Sequence, residues 1–467
     1  MSVTETNPPK WQQGSLIEVE ISDLSDRADG VGRWQGRAVF VPDTVTGDRA
    51  LVRLVRVKSK YAYGKLQQLL TLSPHRIRPH CIVADKCGGC QWQHIDFPYQ
   101  HQAKQQIIID ALERIGKISH PPVAEMLSRG SGLHYRNKVA YPLQRSATGQ
   151  VQAGYYRKGS HKLVNLNQCP VQDSRLDPFL AQIKQDIEAQ GWEIYHETRE
   201  TGKLRHLALR IGRHTGEVLL TLISTDWNLE GVEAQANTWL NQFPELVGVC
   251  LNRNPQRNNI IFGKETRCIA GKDELEEQFA GLTFYLRPDT FFQVNTETAE
   301  VLCDFILDKL ALTGSETVVD AYCGVGTFTL PLARQARHVI GIESQTSAIA
   351  QARRSAQRNQ IDNVTFHVGN VETILPQLET APDLIFLDPP RKGCDRAVLD
   401  TIAQLQPPKL VYLSCRPATL ARDLQQLSAC GYEATLIQPA DFFPQTAHVE
   451  CAAFLQASEP SSDDSPS

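Results

Sequence analysis

The chain has 467 residues, of which 41% are apolar and 21% charged. That balance excludes a wholly disordered chain, a coiled coil and a collagen-like fibre, and the length predicts about three domains. The net charge of −4 singles out no partner. No apolar run approaches the roughly 18 residues of a membrane helix, and residues 1–13 lack the apolar stretch of a secretory signal. We therefore expect a cytoplasmic chain with no membrane role and no obligate protein partner, a monomer, with its 12 Cys reduced.

Residues 1–75 predict a small OB-like β-barrel. Alternating or β-rich runs at 16–21, 38–42 and 50–57 are punctuated by Gly30, Gly32, Gly36 and Gly47. Between Arg49 and Ala84 stand eight basic residues and no acid: Arg49, Arg53, Arg56, Lys58, Lys60, Lys65, Arg76 and Arg78. Such a stripe is the footprint of a phosphate backbone, and the alternative is a solvated strand face.

Residues 76–284 predict a mixed α+β central domain, with a helix near 102–115 and strands at 204–211 and 217–223. It carries Cys81-x5-Cys87-x2-Cys90 and, further on, Cys169 before Pro170. Clustered thiols in a reduced protein point to metal. Four thiolates suit structural zinc or an iron–sulfur cluster, and their chemistry leaves both open.

Residues 285–456 change period. Strand-like runs at 317–320, 338–343, 364–368, 383–388 and 410–413 alternate with helical runs at 346–360, 397–405 and 418–429. That predicts a Rossmann-like, doubly wound parallel sheet. Residues 457–467, rich in Ser, Pro and Asp, predict a disordered tail.

The first strand of this sheet leads into Asp320-Ala321-Tyr322-Cys323-Gly324-Val325-Gly326-Thr327. A dinucleotide fingerprint wants a third glycine where Thr329 stands, which counts against a dehydrogenase. Glu343 ends the second strand, where a carboxylate accepts ribose hydroxyls. Asn370 follows the third, at the place of an adenine edge. Asp388 ends the fourth. Polar groups at successive strand ends form one crevice, and this pattern is that of a class I fold binding S-adenosylmethionine.

Cys415, in Ser414-Cys415-Arg416-Pro417, stands at a strand end before a helix. The helix N-terminus and Arg416 are expected to favour its thiolate. Glu450, in His448-Val449-Glu450, is a candidate base if the fold brings it beside Cys415. A thiolate, a base and a methyl donor together suit methylation of a pyrimidine at carbon-5. The thiolate adds to carbon-6 and makes carbon-5 nucleophilic. After methyl transfer, the base removes the carbon-5 proton and the thiol leaves.

Together the cysteine set, Phe291-Phe292-Gln293-Val294-Asn295-Thr296, the glycine loop, Asp388-Pro389-Pro390-Arg391, Ser414-Cys415-Arg416-Pro417 and His448-Val449-Glu450 resemble the RNA uracil-5-methyltransferase family, in its TRAM-domain, iron–sulfur-containing branch. The resemblance spans about residues 14–456. It implies an RNA-binding TRAM barrel and a [4Fe-4S] cluster on Cys81, Cys87, Cys90 and Cys169. It implies S-adenosylmethionine contacts from Gln293, Tyr322, Glu343, Asn370 and Asp388, with Cys415 as nucleophile and Glu450 as base. Tyr135-Arg136-Asn137-Lys138 resembles a family segment for which we expect an RNA contact. The implied substrate is 23S rRNA, with tRNA the alternative, and a non-catalytic RNA-binding assembly factor is the rival from another class.

Overall fold

Alternating burial along β1 (Leu16–Leu24) puts Ile17, Val19 and Ile21 on one face. The same period in β2 (Gly30–Trp34), β3 (Arg37–Val41), β4 (Arg49–Val57) and β5 (Tyr61–Thr71) adds Val39, Val41, Val52, Leu54 and Ala62 to that core. Strands with one apolar face bury it by curling, and these five form a closed barrel in the order β1-β2-β3-β5-β4. The computed structural model describes residues 10–458.

Helix α1 (Phe97–Arg114) starts where the Asp96 side chain accepts from Tyr99 N at 2.9 Å, with Pro98 in the first turn. Its Ile108 and Leu112 are fully buried, and they join the core of the C-terminal sheet.

The central sheet contains β6 (Lys138–Arg145), β7 (Val151–Tyr156), β8 (Leu163–Asn165), β9 (Leu204–Ile211), β10 (Val218–Ser224), β11 (Leu246–Arg253) and β12 (Glu265–Gly271). Their order is β12-β11-β10-β9-β6-β7-β8. Helices α2 (Asp177–Ala189) and α3 (Val232–Gln242) share its core, and α3 makes the crossover that lets β10 and β11 run parallel. The hairpin of β13 (Leu275–Phe279) and β14 (Leu282–Leu286) buries Phe279 and Phe284 in the C-terminal core.

After α4 (Thr296–Leu310), the chain alternates: β15 (Thr317–Ala321), α5 (Thr329–Ala333), β16 (His338–Glu343), α6 (Thr346–Arg358), β17 (Val364–Val368), α7 (Val371–Ile374), β18 (Leu384–Leu387), α8 (Arg396–Leu405), β19 (Lys409–Ser414) and α9 (Pro417–Ala429). A closing hairpin, β20 (Tyr432–Ala440) and β21 (Glu450–Ala457), completes a seven-stranded sheet ordered β17-β16-β15-β18-β19-β21-β20. β21 alone runs against the direction shared by the other six strands. Strand order reverses between β15 and β18, and a ligand crevice opens at the carboxyl ends there. Of the tail expected from residue 457, Ala457 still pairs with Tyr432 and Ser458 N donates to Gly431 O; residues 459–467 lie outside the described residues. Among the described residues no helix is long and apolar enough to cross a membrane.

Candidate active site and thiol cavity

The crevice begins at the end of β15. Tyr322 takes a left-handed backbone, φ 73°, rare for an aromatic residue, and the turn is pinned by Tyr322 N and Cys323 N donating to Ile342 O at 2.9 and 3.0 Å. Gly324 follows at φ 55°, and a Cβ there would meet nothing within 4 Å, so the backbone faces open space. Gly324 N donates to Glu343 Oε2 at 3.3 Å, which brings the acid of β16 beside the glycine loop. Asn370 caps α7 without a side-chain bond to it and is exposed.

Below the loop stand two carboxyls, Asp320 buried and Asp388 half-buried. Asp320 accepts from Thr329 Oγ1 at 2.5 Å, and burial pushes its carboxyl up to about 7. Asp388, at the end of β18, is pushed up to about 8 by burial and by Asp320. A crevice floored by such carboxyls favours a cation. The residues present therefore fit the sulfonium cofactor that the strand-end pattern implies. Gln293 is buried in the segment between β14 and α4, and its carbonyl accepts from Asn137 Nδ2 at 2.8 Å. No hydrogen bond links Gln293 directly to the other expected cofactor residues among the described residues.

Cys415 and Glu450 meet, although 35 positions separate them in sequence. Ser414 pairs with Cys451 across β19 and β21, so the next rung faces Cys415 towards Glu450. Burial pushes the Glu450 carboxyl well above the usual carboxylate range, Asp388 adds to this, and Arg391 opposes it. Burial, then Glu450, push the Cys415 thiol up to about 11, again against Arg391. The expected thiolate is thus corrected. Without ligand, burial and Glu450 favour the thiol here, the cation opposing them is Arg391, and Arg416 lines the same groove. Sequence reasoning missed Arg391; its place beside Asp388 in the Asp-Pro-Pro-Arg turn was the available signal.

Cys415 opens onto a groove of about 600 Å³ between barrel and C-terminal domain. Arg27, Arg33 and Phe40 line it from the barrel, Arg114 from α1, and Arg391 and His448 from the C-terminal domain. The basic stripe lies elsewhere, on β4, β5 and the segment after them. Arg76 pairs with buried Asp48 and is a structural charge, while Arg49, in a surface pair with Glu18, and Arg56, Lys58, Lys60, Lys65 and Arg78 are exposed. Two residues of the segment Tyr135–Lys138 brace the fold, Tyr135 and Asn137. Tyr135 Oη donates to Pro444 O at 3.1 Å, and Asn137 Nδ2 donates to Gln293 O and to Thr296 Oγ1.

Cys81, Cys87, Cys90 and Cys169 line one cavity of about 250 Å³ together with Tyr135, Tyr155 and Thr446. Burial pushes Cys90 up to about 12, Cys169 to about 11, and Cys87 in the same direction. The expectation of a metal site is not met by the geometry as such. Among the described residues no group of three or more His, Cys, Asp or Glu is arranged to hold a metal ion. The fold gathers four thiols around a cavity without closing them on one point.

A doubly wound sheet with a sulfonium-compatible crevice, beside a closed barrel, defines an S-adenosylmethionine-dependent methyltransferase with a nucleic-acid-binding module. Comparisons with known proteins agree. Residues 312–432 match the methyltransferase domain model and residues 10–66 the TRAM domain model. The chain is 62% identical over 454 residues to an uncharacterised RNA methyltransferase of Nostoc, covering 97% of this chain and 99% of that protein. It is 56% identical over 450 residues to another from Synechocystis, covering 96% and 97%. The chain belongs to this RNA methyltransferase family. Among solved structures, the Pyrococcus abyssi tRNA (uracil-54, C5)-methyltransferase in complex with S-adenosyl-L-homocysteine matches with a TM-score of 0.75 at 26% identity, covering 94% of this chain and 99% of that one.

Proposed function

We propose that this enzyme methylates carbon-5 of a uridine in RNA. The observation that carries the reading is the place of Cys415, one residue past the Ser414–Cys451 rung of β19 and β21, where it feels the charge of Glu450 and opens to the groove beneath the barrel. Bound S-adenosylmethionine supplies an electrophilic methyl group and, by its sulfonium charge, favours ionised Asp388 and Glu450. Tyr322, Glu343, Asn370, Asp388 and Gln293 are the residues we assign to hold it. The target uridine leaves its stack to reach Cys415. Arg391 favours the Cys415 thiolate, whose sulfur adds to carbon-6. Once carbon-5 carries the methyl group, Glu450 takes the carbon-5 proton, the carbon–sulfur bond breaks, and the thiolate is regenerated.

Two readings of the RNA stand. The family resemblance favours 23S rRNA. The Pyrococcus abyssi enzyme favours tRNA, because its match covers 94% of this chain, barrel included, so the barrel does not separate the two. We also propose that the four thiols hold a [4Fe-4S] cluster. Zinc needs four sulfurs about 2.3 Å from one ion, whereas a cluster takes each thiolate on its own iron. The four thiols lining one cavity of about 250 Å³ are what support the cluster. Iron and sulfide analysis of anaerobically purified protein tests this; mononuclear zinc in their place refutes it.

RNA tritiated at uridine carbon-5 tests the reaction. The proposal expects tritium released into water in step with methyl incorporation. Methylation without tritium release would move the methyl group to another atom.

A further inference from the structure

Glu450 is the first residue of β21, and its rung partner is Ala440, the last residue of β20. Residues 441–449 close this hairpin. Their last three, Ala447, His448 and Val449, line the groove that holds Cys415, and Thr446 lines the thiol cavity. The first half of the loop is gripped from outside the C-terminal domain.

The grip is specific and buried. Lys104, in α1, is fully buried, and its Nζ donates to Asp441 Oδ1 at 2.7 Å and to Phe443 O at 3.1 Å. Asp441 is also fully buried, accepts from Phe443 N at 3.1 Å, and lies 3.4 Å from His101 Nε2. One turn earlier in α1, Gln100 makes a two-way amide pair with Gln445: Gln100 Nε2 donates to Gln445 Oε1 at 3.2 Å, and Gln445 N donates to Gln100 Oε1 at 2.9 Å. Gln445 sits at φ 69°, and its carbonyl accepts from Gln91 N and Trp92 N at 3.1 and 3.0 Å. Those donors directly follow Cys90. Loop residues 441–445 are therefore clamped between α1 and the cysteine segment, one rung from the base.

A buried ion pair contributes little net stability against an apolar replacement, but it fixes geometry because an unpaired partner is costly. We propose that Lys104 and Asp441, with Gln100, are positioning residues for Glu450, and that the step depending on them is removal of the carbon-5 proton. None of the three lines the groove, so their loss should leave RNA binding and methyl transfer largely intact. This inference rests on the reading of Glu450 as the base.

The test compares the wild type, Glu450→Gln and the double variant Lys104→Met/Asp441→Asn, which leaves no lone charge in the core. Each is mixed with S-adenosylmethionine and uridine-containing RNA, and the protein–RNA adduct stable to denaturing gels is digested and weighed. The inference expects the double variant to melt within a few degrees of the wild type and bind RNA within threefold. Turnover should fall at least tenfold, while an adduct carrying the new methyl group accumulates as in Glu450→Gln. If Glu450→Gln accumulates no adduct, the assignment of the base fails first, and the inference with it. If Glu450→Gln traps RNA while the folded double variant turns over normally without adduct, the inference alone is overturned. Should the double variant not fold, Gln100→Ala decides by the same readout: methylated adduct supports the clamp, and wild-type turnover without adduct refutes it.

Discussion

Cys415 and Glu450 share a low-dielectric corner in which burial raises both proton affinities, Glu450 adds to that of Cys415, and Asp388 adds to that of Glu450. With the thiol near 11, the thiolate is the minor form at neutral pH and grows about tenfold per pH unit below that value. Alkylation of Cys415 in the ligand-free protein should therefore speed up steadily between pH 7 and about 10. Arg391→Gln removes the cation opposing that shift, so its alkylation profile should move to higher pH. An unmoved profile would remove Arg391 from the account. Cys415→Ala should lose methyl transfer by at least about 10³-fold while retaining RNA binding, read by filter binding beside methyl incorporation. Asp388 carries a linkage of its own. Its carboxyl is protonated in the fold up to about 8 but titrates at the usual 3.8 when unfolded. Between those values the unfolded state binds fewer protons, so this group's contribution to stability falls as pH rises. Asp388→Asn should gain stability relative to the wild type from pH 5 to pH 8, measured by urea unfolding, while losing activity.

At the scale of elements, the sequence was most legible where the signal is local. The βα alternation, the glycine turn after β15 and the acids ending β16 and β18 all follow from short-range period and turn chemistry, and they stand at one end of one sheet. Glu450 was legible only in part, because its role depends on a rung between β19 and β21 that no local pattern encodes. The thiolate expectation failed for a related reason. It weighed the neighbour in sequence, Arg416, while burial and cross-strand neighbours decide the proton. The bracing bonds of Tyr135 and Asn137 were not legible because their partners, Pro444, Gln293 and Thr296, lie at least about 150 residues away. Helix α1 belongs in sequence to the central region, yet Ile108 and Leu112 pack into the C-terminal core. Leu112→Ala should therefore cost about 2–5 kcal/mol and lower the melting temperature of the unit that holds the active site. Equal melting temperatures would put α1 outside that cooperative unit.

For the whole molecule, the three regions work as one enclosure. The barrel and α1 supply one wall of the groove, the C-terminal sheet supplies the chemistry, and the cysteine segment reaches the loop that ends in Glu450. The basic stripe of the sequence proved to be divided, with Arg76 held by buried Asp48 and Arg49 in an exposed pair with Glu18. The arginines that line the groove, Arg27, Arg33, Arg114, Arg391 and Arg416, are scattered along the chain and carry no composition signal. The central claim is that this enclosure methylates uridine carbon-5. The most direct test incubates the intact protein, purified without oxygen, with S-adenosylmethionine and with separate unmodified 23S rRNA and tRNA transcripts, then weighs the nucleosides after digestion. The account predicts 5-methyluridine, abolished by Cys415→Ala, in one of the two RNAs, and that RNA is the substrate class. A methyl group on the ribose or on a ring nitrogen, or 5-methyluridine that survives Cys415→Ala, would contradict it.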